Sequence, residues 1–260
     1  MWHYTRDGSG PPLVLLHGIG MSHAVWRPLR PHLGAHREVY AFDIAGFGAS
    51  PPLPEGTAPT IAHLVDALES SIRDLGLTCP IDLAGNSLGG TLALEAARRG
   101  IARRVVAISP AGLWRSTPPA HVKYVFRGCR FLATHGHALL ATALRSSVMR
   151  ELLLSVPLSI GSRRMPYEDA LRTIDDLASA TTFDETFENT GPSFAARDIA
   201  VPVTVVFGNR DFILTKRARS RRALPDHARW LTIRGWGHVP MWADPAGVAK
   251  VILDGLEQGS

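Results

Sequence analysis

One short segment constrains the fold of this chain more than any other. It is Gly85-Asn86-Ser87-Leu88-Gly89, the only G-x-S-x-G in the sequence. The segment follows a short aliphatic run and opens a stretch of helical periodicity. A sharp strand-to-helix turn brings two backbones close together, so the positions two before and two after its centre tolerate only glycine. The segment predicts such a turn with the Ser87 hydroxyl above a sheet, although the same residues also fit a glycine-rich helix start.

The alternation of aliphatic runs with helical periodicity predicts an α/β fold. Most runs are apolar throughout, which is typical of a mostly parallel central sheet with helices on both faces. The predicted strands span residues 13–16, 39–42, 81–83, 105–108, 203–207 and 230–233. The predicted helices span residues 61–75, 88–99, 215–224 and 245–256.

Residues 113–189 interrupt this alternation with helical spacing and no strand pattern. We therefore expect an inserted helical cap at 113–189 on a core formed by residues 1–112 and 190–260. Arginines dominate the first half of this segment and carboxylates the second. Pairing between the two halves is the preferred interpretation, and an anionic-substrate site is the alternative.

A serine hydroxyl becomes a useful nucleophile only when a base removes its proton, and a third group must orient that base. His238 follows the last predicted strand, at the sheet edge where open α/β sheets bind ligands. Asp211 ends the strand before it, in the order serine, aspartate, histidine that is typical of this turn. Asp43 also follows a strand but precedes the serine, so we predict that it fixes its own loop. The predicted catalytic residues are Ser87, Asp211 and His238.

A developing oxyanion needs two backbone N–H donors near the serine. Leu88 supplies one at a helix N-terminus, and Ile19 supplies the other from the loop after the first predicted strand. We expect His17, in that same loop, to hydrogen-bond locally. The predicted substrate pocket contains Gly18, Asn86, Trp114, Val239 and Trp242.

Composition narrows the partners. The 28 basic residues exceed the 23 acidic ones by only five. The densest basic run, at 216–222, is interpreted as the solvated side of a helix without aromatic residues for base stacking, so we expect no nucleic-acid partner. Two cysteines and no spanning apolar stretch favour a cytoplasmic protein with free thiols and no membrane partner. His135 and His137 have no carboxylate or cysteine pattern nearby that would complete a metal site, so no metal is expected.

These segments, taken in order and spacing, resemble the α/β-hydrolase fold family in its serine hydrolase branch. The closest likeness is to small capped carboxylesterases, which implies an acyl-enzyme intermediate, an ester substrate and no cofactor. Ser87 departs from epoxide hydrolases and haloalkane dehalogenases, which place aspartate there. Asn86 and Trp242 are similar to residues of hydrolases that cleave carbon–carbon bonds in ring-fission products, which is the alternative activity. A non-catalytic ligand-binding relative is an alternative of another class.

Overall fold

A seven-stranded sheet organises the computed structural model, which describes residues 1–114, 119–191 and 193–257. The strand order is β1-β3-β2-β4-β5-β6-β7, and every neighbouring pair is parallel except β1 with β3. The strands are β1 Tyr4–Asp7, β2 Pro12–Leu16, β3 Glu38–Phe42, β4 Ile81–Asn86, β5 Ala102–Ile108, β6 Val203–Gly208 and β7 Arg229–Ile233. The α/β prediction and its six strands are confirmed.

The edge strand β1 is the one strand that the sequence pattern did not predict. Its four residues are partly or fully exposed, and none is aliphatic. Because an edge strand is only partly covered, it needs no continuous apolar run. Its backbone pairing with β3 therefore makes it a strand without an apolar pattern.

Nine α-helices lie in the described part of the chain. They are α1 Arg30–Leu33, α2 Ile61–Asp74, α3 Leu88–Arg98, α4 Ala120–His135, α5 His137–Ala143, α6 Ser147–Leu154, α7 Tyr167–Ser179, α8 Phe183–Thr190 and α9 Pro245–Glu257. Three predicted helices are confirmed to within one residue at each end as α2, α3 and α9. The Thr60 hydroxyl caps α2 by accepting the His63 N–H, and Gly100 follows α3 with a φ of 76°.

The predicted helix at 215–224 is wrong. Two short 3-10 turns, Lys216–Ala218 and Arg221–Ala223, stand in its place. Between them the Ser220 N–H donates to the Leu113 carbonyl at 2.8 Å. A segment distant in sequence thus accepts a hydrogen bond from a backbone N–H that a continuous helix would have paired within itself.

Two hydrophobic cores cover the two faces of the sheet. Side chains of α2 and α3 contribute to one core, and those of α1 and α9 contribute to the other. Burial on both faces explains why the central strands are apolar throughout. The polar side chains at the carboxyl ends of β4 and β6 are therefore brought to one edge of the sheet.

Helices α4 to α8 lie between β5 and β6, and α4 packs on α7. The loop after α6 is hydrogen-bonded to the segment that carries His238. The Val239 N–H donates to the Leu158 carbonyl at 2.9 Å, and the Gly237 N–H donates to Ser159 Oγ at 2.9 Å. Residues 115–118 of the predicted cap lie outside the described residues.

Candidate active site

Ser87 lies at the turn between β4 and α3 with φ 52° and ψ −115°, a backbone conformation that residues other than glycine rarely adopt. Its glycine neighbours explain how the turn forms. A Cβ on Gly85 would lie 2.2 Å from the Gly89 carbonyl oxygen, and a Cβ on Gly89 would lie 2.1 Å from that of Leu16. Both positions therefore require glycine, and the turn holds Ser87 at the edge of the sheet.

Asp211 and His238 form a buried pair at the same edge. Asp211 Oδ2 accepts the His238 Nδ1–H at 3.1 Å, while its Oδ1 accepts the backbone N–H groups of Ile213 and Leu214 at 3.0 and 2.8 Å. Burial alone would raise the pKa of Asp211, but the histidine and these hydrogen bonds outweigh it and lower that pKa. The carboxylate is thus held ionised and aimed at one ring nitrogen.

The other ring nitrogen of His238 is free to act. His238 Nε2 is buried and has no hydrogen-bond partner among the described residues. His238 and Ser87 line the same cavity. Because Asp211 binds Nδ1, the unpartnered Nε2 is the atom that can exchange a proton inside that cavity.

The two predicted oxyanion donors lie at the serine turn. Neither the Ile19 N–H nor the Leu88 N–H makes a backbone hydrogen bond within the described ranges. Ile19 lines two cavities, and Ser87 lines both of them as well. Leu88 is the first residue of α3. Unpaired N–H groups beside a nucleophile are suited to receive negative charge.

The larger cavity at Ser87 has a volume of about 130 Å³. Its wall combines the loop after β2 with side chains of α4, α5, α6 and α7. Gly18, Asn86 and Val239, three of the residues predicted for the substrate pocket, line it. No Lys, Arg, Asp or Glu is among its described lining residues, so a carboxylate entering the cavity would meet no lysine or arginine there.

The two predicted pocket tryptophans are placed differently. Trp114 lines a smaller cavity of about 40 Å³ that also adjoins Ser87, and its buried indole N–H has no described partner. Trp242 lines neither cavity, so its assignment to the pocket is wrong. It is buried in the core, and its Nε1–H donates to Asp169 on α7 at 3.1 Å. A tryptophan close to His238 in sequence can thus serve packing alone.

Arg219 is a site residue that sequence reasoning missed. Its guanidinium packs over Phe207 at 4.5 Å, donates to the Leu214 and Gly208 carbonyls, and lies 3.9 Å from Asp211. The basic run around it had been interpreted as the solvated side of a helix. Because the run is not a helix, one of its arginines turns inward and braces the loop that carries Asp211.

Asp43 and His17 have structural roles, as expected. The Asp43 carboxylate accepts the backbone N–H groups of His23 and Ala49 and contacts the imidazoles of His3 and His23. His17 Nε2 accepts the Ile44 N–H at 2.9 Å, while its Nδ1 donates to the Gly18 carbonyl. These bonds tie the loop after β3 to the loop that carries Ile19.

Two groups near these loops, the buried His17 and the half-buried Asp176, have pKa values shifted in opposite senses. Burial lowers the pKa of His17 from 6.5 to about 4. Burial, with Asp43 nearby, raises the pKa of Asp176 from 3.8 to about 6, and Asp176 accepts the Ser22 hydroxyl at 2.5 Å. Between these pH values His17 binds protons more readily in the unfolded chain, and Asp176 does so in the native one. Acid therefore destabilises through His17 and stabilises through Asp176.

We expect the Asp176→Asn variant to lose roughly 3 kcal/mol of unfolding free energy as the pH falls from 6.5 to 4, because Asp176 then no longer opposes the His17 effect. Wild-type stability should change much less over this range. Urea unfolding at several pH values measures both. Glu168→Gln, an exposed change on the same helix, is the control. A parallel pH profile for wild type and Asp176→Asn would contradict the opposing titrations.

The sequence matches the alpha/beta hydrolase family over residues 13–251. An epoxide hydrolase of Mycobacterium tuberculosis is 31% identical over 206 residues, covering 76% of this chain and 95% of that protein. A pimeloyl-[acyl-carrier protein] methyl ester esterase of Xanthomonas axonopodis pv. citri is 29% identical over 263 residues, covering 96% of each. Together with the sheet topology, the match shows that this chain belongs to the alpha/beta hydrolase family and is a hydrolase.

Solved structures agree on the fold. A carboxylesterase of Bacillus subtilis superposes with a TM-score of 0.74 at 24% identity, covering 99% of this chain and 88% of that one. A meta-cleavage product hydrolase of Pseudomonas fluorescens superposes with a TM-score of 0.76 at 19% identity, covering 99% and 94%. At such identities the likeness concerns the fold, and the reaction must be argued from the site.

Proposed function

We propose that this protein is a serine esterase for small to medium apolar substrates. The observation that carries the proposal is the larger cavity, where Ser87 and His238 meet an apolar wall with no charged side chain among its described lining residues. A neutral acyl or alcohol group loses little by leaving water for such a wall, whereas an unpaired carboxylate would lose much. The full-length similarity to a methyl ester esterase supports the same reaction class.

In this proposal Ser87 Oγ attacks the ester carbonyl while His238 Nε2 takes the hydroxyl proton. The Ile19 and Leu88 N–H groups stabilise the oxyanion. His238 then gives the proton to the departing alkoxide, leaving the acyl group on Ser87. His238 Nε2 then takes a proton from a water molecule as the water oxygen attacks the acyl carbon. The bond between that carbon and Ser87 Oγ breaks, the acid leaves, and His238 returns the proton to Ser87 Oγ. Asp211 holds the required tautomer throughout.

Residues 113–189 act as the cap in this proposal, and residues 1–112 and 190–260 act as the core. Much of the cavity wall comes from α4 to α7, while Ser87 and His238 come from the core. None of the described cap arginines lines the wall. Arg130, for example, packs over Phe183 and donates to the Ala180 carbonyl. The described cavity wall therefore has no lysine or arginine that could bind an anionic substrate.

The carbon–carbon hydrolase alternative predicts a different wall. A ring-fission dienoate carries a carboxylate, which needs a charge-assisted partner when it is buried. Asn86 remains as a polar group, but its Nδ2–H already donates to the His238 and Ile108 carbonyls. The epoxide hydrolase relative also differs in expectation, because Ser87 stands where that class places an aspartate. Esterase activity is the function that this site supports best.

Aryl esters of increasing acyl length test the proposal. We expect kcat/KM to rise about fourfold per added methylene, from roughly 0.8 kcal/mol of burial each, until the cavity is full, and then to fall. Leu140→Trp, which fills part of the cavity, should shift the optimum to shorter chains. Its neighbour Leu139 is 76% exposed, so Leu139→Trp is the control. A flat acyl profile with strong preference for a carboxylated dienoate would overturn the esterase proposal.

A further inference from the structure

Exposed apolar side chains are concentrated on one part of the described molecule. Nine large hydrophobic side chains are strongly exposed in the described residues, and seven of them belong to residues 124–156. These seven, which we call the α4–α6 face, are Tyr124, Phe131, Leu132, Leu139, Val148, Leu152 and Val156. Single exposed hydrophobics are ordinary, but such a concentration marks an interaction surface.

Helical spacing supports treating these residues as faces. Val148 and Leu152 lie four residues apart on α6, and Val156 follows four residues later. Tyr124 and Phe131 lie seven residues apart on α4. Residues at these spacings share one side of a helix. The exposed side of α6 is therefore largely apolar, whereas on α4 the exposed Lys123 and Arg127 lie among the apolar side chains.

The opposite sides of the same three helices line the larger cavity. Ala133 of α4, Leu140 of α5 and Leu154 of α6 belong to its wall. Leu132 belongs to both surfaces, because it is 52% exposed and also lines the cavity. The α4–α6 face is thus continuous, through Leu132, with the compartment that holds Ser87.

The charge of residues 119–164 is one-sided, although carboxylates of α8 lie near two of the cations: Glu188 is 3.8 Å from Arg127, and Asp184 is 3.6 Å from Arg130. Residues 119–164 contain seven lysines and arginines and a single carboxylate, Glu151. That carboxylate is engaged, because it accepts the backbone N–H groups of Gly161 and Arg163. Five of the cations are exposed: Lys123, Arg127, Arg145, Arg163 and Arg164. The region therefore presents apolar and cationic side chains together.

We propose that the α4–α6 face docks on an anionic lipid surface. Apolar side chains with interspersed cations are the composition that enters a bilayer interface and meets acidic headgroups. A symmetric dimer through this face would oppose like charges across its own axis, which disfavours a second copy as the occupant. Docking would also present Leu132 and the cavity to apolar esters dissolved in the lipid, a step that rests on the proposed function.

This association is at the surface. No helix in the described part of the chain is long and apolar enough to cross a membrane. The sequence-based expectation of no membrane partner rested on the lack of a spanning stretch. Docking through exposed side chains needs no such stretch, so the proposal replaces that expectation.

Co-flotation with vesicles tests the docking directly. We expect the protein to float with vesicles of phosphatidylcholine and phosphatidylglycerol, to bind pure phosphatidylcholine far less, and to release from the anionic vesicles at high salt. Leu139→Ser and Leu152→Ser, which line neither cavity at Ser87, should each weaken binding about tenfold while soluble ester hydrolysis stays unchanged. Ser87→Ala should float like wild type, which separates docking from catalysis.

A charge pair of variants completes the test. The double variant Arg145→Glu and Arg163→Glu should abolish flotation. The double variant Arg217→Glu and Arg222→Glu makes the same charge change outside residues 119–164 and should preserve flotation. Failure of wild type to float with the anionic vesicles would overturn the proposal. So would a dimer in solution that Leu139→Ser dissociates, because a second copy would then be the occupant. Flotation without any esterase activity would overturn the proposed function alone.

Discussion

Ser87→Ala is expected to lower kcat for aryl ester hydrolysis by about a million-fold while the protein stays folded, the order of loss when the nucleophile of a serine triad is removed. The residual rate would come from the oxyanion donors and from substrate binding. The turn itself should survive, since alanine needs only the same backbone conformation that Gly85 and Gly89 make room for. Steady-state kinetics with an active-site titration measures the effect.

Ser109→Ala is the matched control for Ser87→Ala. Ser109 directly follows the neighbouring strand β5, is buried, has a positive φ of 46°, and its hydroxyl has no described partner. Its loss should leave turnover close to wild type. A fluorophosphonate should label the wild type and Ser109→Ala but not Ser87→Ala. A folded Ser87→Ala protein with wild-type turnover would reject the nucleophile, and an unlabelled wild type would favour a ligand-binding protein without catalysis.

Asp211→Asn is expected to lower kcat by roughly ten-thousand-fold, the loss known for the equivalent change in another serine-triad enzyme. The carboxylate now accepts the His238 Nδ1–H and two backbone N–H bonds. An amide can present its NH2 group to Nδ1, which fixes the wrong tautomer, and it cannot stabilise an imidazolium. The pH dependence of kcat/KM should change as well, because the histidine loses its anionic partner.

Asp43→Asn is the control for this assignment. Asp43 is equally buried and also contacts histidines, but its partners belong to the loops after β2 and β3 and to the N-terminal segment. Its replacement should lower the unfolding free energy and spare kcat in the folded fraction. If a folded Asp43→Asn protein is inactive while Asp211→Asn turns over normally, the acid has been assigned to the wrong residue.

The sequence by itself determined the fold class and the three candidate catalytic positions. Both follow from local rules. A strand of a covered parallel sheet must be apolar throughout, and a strand-to-helix turn this tight needs Gly85 and Gly89. The order of Ser87, Asp211 and His238 then placed three polar side chains after three different strands. Parallel strands bring such ends to one edge of the sheet, and the structure joins Asp211 to His238 there.

Tertiary structure decided the rest, because those outcomes depend on contacts between distant segments. The helical periodicity at 215–224 predicts a helix, but the Ser220 N–H is bonded to the Leu113 carbonyl and no continuous helix forms. Arg219 therefore lies beside Asp211 and not on a solvated helix surface. Trp242 turned toward Asp169 instead of the cavity. No local pattern encodes which side of helices α4, α5 and α6 faces the cavity and which remains exposed. The packing of α4, α5 and α6 settled that, and it left a charge-free wall inside and an apolar, cationic surface outside.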